Sequence, residues 1–374
     1  MKRIFDGLLL FIIIALTTGC WDHEYLKDMN LAYSIAFDLT KDHKIKQTVE
    51  LIIPPETEQS ATKNEIHTAT GFSTRGASNE LRNRVRGNMR VIKNGVQLIG
   101  KSLAINGLDA PMDVNFRDPK NPTSNVRMLI ADKEAGDIVN QKKIGELKIG
   151  EFLTSKITSL ENMSLFYPPE TMDTVFHSLK DPGQDFALPL IGMEGDEVAA
   201  KGVALFHDQY YSGMLDTEQS ILLVLLKGKT GGNARFTKTI DIGSTDSSRS
   251  ELSYNVGKKK IKRTFKVNVA NNGDVHVTLN IKLRAILEEY TGTHLLDDKA
   301  IARLNQELSS MMTSDAKDVI RELQKAKCDI FGVGRKLIAY HNPIWKQKNW
   351  KEDYQKVHFH TNVQVSIIDT GITQ

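Results

Sequence analysis

Residues 265–287, FKVNVANNGDVHVTLNIKLRAIL, decide how the second half of this chain folds. Phe265, Val267 and Val269 alternate with polar residues, Asn271-Asn272-Gly273-Asp274 supplies turn chemistry, and Val275, Val277, Leu279, Ile281, Leu283, Ala285 and Leu287 resume the alternation. A period of two places every apolar side chain on one face of a strand, so the stretch predicts a half-buried β-hairpin. Beyond it, Asp297 or Asp298 can cap a long helix in which Ile301, Leu304, Leu308, Met311, Ala316, Val319, Leu323 and Ala326 fall mostly three or four apart. Gly332 and Gly334 lie past the helix end, and alternate apolar residues from Val357 to Ile367 predict a last strand. Antiparallel strands covered on one face by a long helix make an α+β domain.

Toward the amino terminus the signals are more varied. Lys258-Lys259-Lys260-Ile261-Lys262-Arg263 is the densest basic run; lysines that protect an edge strand are the favoured reading over contact with anionic lipid. Gly228 to Ser250 predicts turns, Glu218 to Leu226 a helix or buried strand, and Val198–Phe206 with Ser212–Leu215 a hairpin around His207-Asp208-Gln209. Between Gly150 and Pro189 a helical pattern is broken at Pro168-Pro169 and Asp181-Pro182. Val126–Ala131 and Val96–Ile99 read as strands, Lys101–Asn106 as a short helix, and Phe116 to Pro122 as a loop. Ala77, Leu81, Val85 and Met89 predict an amphipathic helix over Gly76–Met89 whose other face carries arginines, Glu56–Thr70 a loop, and Leu31–Phe37 with Lys46–Ile53 a hairpin. The expected fold class is α+β: a multidomain ectodomain of mixed or antiparallel sheets with packed helices. Its expected divisions are a signal segment at 1–19, an α+β region of one or two subdomains at 20–195, and a C-terminal α+β domain at 196–374.

The signal segment is read from its order. Met1-Lys2-Arg3 is basic, Gly7 to Leu16 is an apolar run of ten residues, and Thr17-Thr18-Gly19 precedes Cys20. The run is about half the roughly 20 residues a membrane-spanning helix requires, so a cleaved secretion signal is expected. A cysteine after small residues resembles the bacterial lipobox: cleavage between Gly19 and Cys20, with Cys20 carrying an S-diacylglyceryl group and an N-acyl chain. Two or more acyl chains tether a soluble ectodomain stably.

Composition bounds the rest. The chain has 374 residues, 40% hydrophobic and 25% charged with a net charge of +3, which describes a globular protein with no basic face for nucleic acid. Its two cysteines, Cys20 and Cys328, give no disulfide framework, and Cys328 reads as a buried, inert thiol.

Candidate chemistry is sparse. Gly228-Lys229-Thr230 resembles the end of a phosphate loop, but Leu223 stands where the first glycine belongs. His358 and His360 project from the polar face of the last strand; with no third donor evident in sequence they are expected to be solvated rather than metal-bound. HExxH and GxSxG are both missing from the sequence. No catalytic, cofactor or metal residue is therefore expected.

Taken together, Gly19-Cys20-Trp21-Asp22 with Glu24-Tyr25-Leu26, an early strand ending in Phe37-Asp38, the helix around Leu81, and Phe116-Arg117-Asp118-Pro119 resemble the Ger(x)C lipoproteins. So do Lys201-Gly202-Val203-Ala204-Leu205-Phe206, Gly213-Met214-Leu215 with Glu218, Asp329-Ile330-Phe331-Gly332-Val333-Gly334, Trp345, Trp350 and Gly371. This resemblance spans nearly the whole mature chain. It implies a non-enzymatic C subunit of a nutrient germinant receptor, held on the outer face of the spore inner membrane beside integral-membrane A and B subunits. A solute-binding lipoprotein of a transporter is the main alternative and would require two parallel-sheet lobes around a cleft. An envelope enzyme would require a convergent acid and base.

Overall fold

The computed structural model describes residues 29–53, 63–118, 121, 123–240, 250–257, 260–290 and 297–370. Gly19, Cys20 and the signal segment lie outside them. Strands β1 (Met29–Leu39), β2 (Ile45–Ile53), β3 (Lys63–Gly71), β4 (Asn88–Arg90), β5 (Val96–Gly100) and β6 (Arg127–Ala131) belong to the first sheet, and β7 (Lys143–Ile144) and β8 (Leu147–Lys148) form a small ladder of their own. The first sheet is completed by β9 (Ala187–Glu194), β10 (Glu197–His207) and β11 (Tyr210–Leu215), in the order β11-β10-β9-β6-β5-β1-β2-β3 with β4 beside β1. Its centre, β9-β6-β5-β1, is parallel, and each flank is antiparallel.

Parallel strands are buried on both faces, and the central sequences VQLIG and RMLIA are mostly apolar as that requires, with Gln97 the one buried polar side chain between them. Ala36, Val96, Leu98 and Leu129 face the helices Ala135–Val139 and Ile149–Asn162. Ile35, Phe37, Ile99, Met128 and Ile130 face the opposite way, into a core shared with the helices Thr74–Arg82, Lys101–Asn106, Asp109–Arg117 and Met172–Leu179.

The second sheet contains β12 (Asn233–Ile240), β13 (Ser250–Gly257), β14 (Ile261–Val269), β15 (Val275–Tyr290) and β16 (His358–Asp369). The hairpin read from residues 265–287 is β14–β15, with Val269 opposite Val275. The helix Asp298–Lys325 is capped by Asp297, whose carboxylate accepts the Ala300 N–H at 2.7 Å. The helix packs Leu304, Leu308, Met312, Ala316, Val319 and Leu323 onto the sheet's apolar face. It also closes an edge. Thr313 Oγ1, Ser309 Oγ and Asn305 Oδ1, one turn apart, accept the backbone N–H groups of Val363, Val365 and Ile367 on β16 at 3.0, 2.9 and 2.7 Å. Side chains at four-residue spacing share a helix face, so one polar stripe satisfies the donors an edge strand would leave open.

Several elements differ from expectation for definite reasons. The last strand, β16, joins β15 in parallel, because the long helix carries the chain back to the starting end of β15 before it re-enters the sheet. The first helix stops at Arg82 rather than Met89. Leu81 reaches the core from the helix and Met89 from β4, so fourfold spacing survives across a change of element. Residues within Glu56–Thr70 include β3, whose polar composition suits a flank strand that, among the described residues, pairs with β2 alone. The turn region from Gly228 to Ser250 includes β12, where Ala234, Phe236 and Ile240 face inward. The helix Asp109–Arg117 takes in Phe116 and Arg117 of the expected loop, and Pro111 occupies its first turn, where the missing N–H would have no intrahelical partner. The expected boundary at 195/196 falls at the tip of the β9–β10 hairpin, where Glu194 pairs with Glu197.

Candidate functional site

Four buried or half-buried carboxylates organise the molecule, and three of them hold the amino ends of helices. Asp38, at the end of β1, accepts the Ala135 and Gly136 N–H groups at 2.6 and 2.8 Å. Glu50, on β2, accepts the Gly150 N–H at 2.8 Å, the Ser34 hydroxyl at 2.9 Å and the Asn64 amide at 3.0 Å. Asp329 accepts the Val333 N–H at 2.9 Å, the Gly334 N–H at 2.7 Å and the Trp350 indole N–H at 3.1 Å. A helix N-terminus presents unpaired donors and a positive dipole end, and a carboxylate satisfies both. Burial raises the pKa of all three carboxyls.

The fourth, Asp185, links the sequence halves. It accepts the Asp329 N–H at 2.8 Å and the Asp208 N–H at 3.0 Å, and its other neighbour is His207 at 3.8 Å. Gly183 O accepts the Arg335 N–H at 2.9 Å, and Gln184 donates to Ile330 O at 3.2 Å. Gly334 is required at this junction: a Cβ there would stand 2.6 Å from Trp350 Nε1 and 2.9 Å from Gly183 Cα. Around this knot lies a cleft of about 510 Å³ whose wall includes His207, Trp345, Trp350 and Tyr354. Its rim carries ion pairs between Lys351 and Asp208 at 2.5 Å, Lys327 and Glu352 at 2.6 Å, and Arg335 and Asp181.

The electrostatics describe an anchor. Asp329 is pushed up to about 7, chiefly by burial, against the lowering effect of its N–H donors. His207 is raised by its interaction with Asp185, and burial pushes the Cys328 thiol far up, so Cys328 is held as a thiol and is no nucleophile. Between 3.8, the ordinary value for Asp, and about 7, the folded chain retains a proton on Asp329 that the unfolded chain has released. Stability therefore falls as pH rises through that window, and the raised His207 acts in the same direction near its own range. Denaturant unfolding at pH 5 and pH 8 will show lower stability at pH 8, and Asp329→Asn will reduce the slope. An unchanged slope in that variant would remove Asp329 as its source.

Of the residues singled out in sequence, Cys328 is fully buried, and its thiol donates to Phe186 O at 3.6 Å. His358 and His360 are exposed on β16, and the parallel register brings His276 of β15 beside them. Arg263, from the basic run, lies over the Phe265 ring at 4.3 Å, on a strand at the end of its sheet. Sequence reasoning missed Asp38, Glu50, Asp185 and Asp329 as organising groups. The donors of Asp38 lie 97 and 98 residues away, so no local pattern announces them.

A mixed sheet with helices on both faces is joined to a helix-covered second sheet, with buried carboxylates at the joints, and no helix among the described residues is long and apolar enough to cross a membrane; the arrangement is that of a two-sheet α+β protein. Two family models match it in tandem: Spore germination protein N-terminal domain over residues 22–193, and Spore germination B3/GerAC like, C-terminal, over residues 201–371. The chain belongs to this Ger(x)C family of spore germination proteins, the C-subunit class of germinant receptors. It is 22% identical over 376 residues to spore germination protein GerQC of Bacillus cereus, covering 100% of both chains. It is 21% identical over 415 residues to spore germination protein YndF of Bacillus subtilis (strain 168), covering 99% of this chain and 98% of that one. The crystal structure of the GerBC protein superposes with a TM-score of 0.58 at 18% identity, covering 93% of this chain and 100% of that one.

Proposed function

We propose that this chain is the lipid-anchored, non-enzymatic C subunit of a nutrient germinant receptor, tethered through Cys20 to the outer face of the spore inner membrane beside integral-membrane A and B subunits. The observation that carries the reading is the tandem family correspondence over residues 22–193 and 201–371. The junction supports a structural role: Asp185 and Gln184, just before β9, are hydrogen-bonded to Asp329 and Ile330 after the long helix, which ties the two sequence halves together. A solute-binding protein with two parallel-sheet lobes fits less well, because the second sheet is antiparallel apart from its β15–β16 pair.

Deletion of the gene and replacement by a Cys20→Ala allele test this together. Deletion will abolish germination to the cognate nutrient while solute uptake is unchanged. Cys20→Ala will release the protein from the membrane fraction and reduce germination. Normal germination of the deletion strain with every nutrient, in a background lacking paralogous receptors, would sink the receptor reading. Full membrane retention of the Cys20→Ala protein would sink the lipid anchor alone.

A further inference from the structure

The outward face of the second sheet carries an arrangement that the receptor role does not use. In sequence, His358 and His360 lacked a third donor. The parallel register of β16 on β15 supplies one, placing His276 directly opposite His358, with His360 next along the same face. Ligand atoms of Asp274, His276 and His358 all lie within 4.8 Å of one another. His276 Nδ1 is 3.2 Å from His360 Nε2, and the His276 ring lies 4.8 Å from that of His358 and 5.5 Å from that of His360.

We propose that His276, His358 and Asp274, joined by His360, bind a divalent transition-metal ion of the zinc type. Three imidazoles and a carboxylate suit the borderline ions, and hard cations such as Mg²⁺ prefer all-oxygen sites. Two Zn–N bonds of the usual length at a tetrahedral angle separate their nitrogens by about 3.3–3.4 Å, close to the His276–His360 spacing. One of these two facing nitrogens carries the shared proton; moving it to the other nitrogen of the donor ring leaves both facing nitrogens with free lone pairs for a metal.

The frame around these groups is ordered before any ion arrives. His276 and His358 sit on adjacent strands of a continuous ladder, and sites on strands hold geometry better than sites on loops. Asp274 closes the β14–β15 turn: its N–H donates to Asn272 Oδ1 at 3.1 Å, and the Asn272 amide donates to its carboxylate at 2.7 Å. That second contact orients one oxygen and leaves the other for a metal, as outer-shell partners of metal ligands do. On the face beside the site, β14 contributes Asn268 opposite His276 and Lys266 opposite Thr278, so one cation, a strand away from His360, is the nearest opposing charge by register.

The test uses the full chain purified in detergent, stripped with a chelator and titrated with Zn²⁺ against a chromophoric competitor. A single saturable ion per chain is expected. His276→Ala and His358→Ala will each weaken it at least tenfold, since loss of even an outer-shell partner weakens metal binding by about 10–100-fold. The variants change half-exposed or exposed side chains, and an unchanged metal-free unfolding midpoint will establish that they fold. Mg²⁺ at the same concentrations will not compete. Absence of saturable zinc uptake, or affinity undiminished in the double variant, would overturn the site.

Discussion

Asp329→Ala will destabilise the protein by about 3–5 kcal/mol, the larger part of the stability of many domains. The substitution removes the acceptor of the Val333, Gly334 and Trp350 N–H groups in a place where Asp329 itself is 1% exposed. Each buried donor left without a partner costs about 1–3 kcal/mol, and water can reach only part of this knot from the cleft. The damage will be local first. Trp350 packs at a tilt against Trp345 and edge-to-face against Tyr354, both at 5.9 Å between ring centroids, so near-ultraviolet circular dichroism will report loosening there before the far-ultraviolet signal of the sheets changes. Asp329→Asn keeps one oxygen acceptor and will lose roughly half as much, about 2 kcal/mol. A loss under about 1 kcal/mol for the alanine variant, measured by denaturant unfolding, would show that Asp329 is not the anchor described.

Gly202→Ala will cost about 3 kcal/mol or more. Gly202 has φ +115, and a Cβ there would lie 2.0 Å from Leu215 O and 2.7 Å from the Asp216 carbonyl carbon. The register of β10 against β9 shifts between Ala200 and Gly202, so the backbone bends where β11 ends. Immediately beyond, Asp216 caps the Thr217–Leu226 helix by accepting the Gln219 N–H at 2.8 Å, and the Gln219 side chain accepts the Asp216 N–H at 3.1 Å. An added methyl would push that cap off the strand. Gly195 is the control: its φ is +60 with nothing within 4 Å of the would-be Cβ, so Gly195→Ala carries conformational strain alone and will cost about 1 kcal/mol. Equal losses at the two positions would mean that steric crowding at Gly202 is relieved by movement.

These two residues show what was legible in the sequence and what was not. The hairpin at 265–287 and the long helix were readable because their periodicities are local, and the structure keeps both. The direction of β16 was not, since an alternating strand has the same pattern whichever way it pairs. The parallel centre of the first sheet was equally hidden: β5 and β6 are short apolar runs whose neighbours come from distant segments. The same limit governs the sites. Asp329 and Gly202 stand within stretches that carry the family resemblance, yet only the fold shows one as an acceptor of buried N–H groups and the other as a place with no room for a side chain. The third imidazole of the proposed metal site, His276, is separated by 84 residues of chain from His360, whose ring nitrogen lies 3.2 Å from its own.

The hairpin of β9 and β10 has a consequence for how members of this family can exchange parts. The two family regions meet between residues 193 and 201, which invites chimaeras that take one region from each of two relatives. Yet β10 and β11, beyond that junction, complete the flank of a sheet that begins before it, and β9 takes β10 as its antiparallel partner. A recombinant joined there inherits two half-ladders whose bulge near Gly202 must match in register. The cross-over that disturbs least lies further on, after β11, where the backbone leaves the first sheet for the Thr217–Leu226 helix.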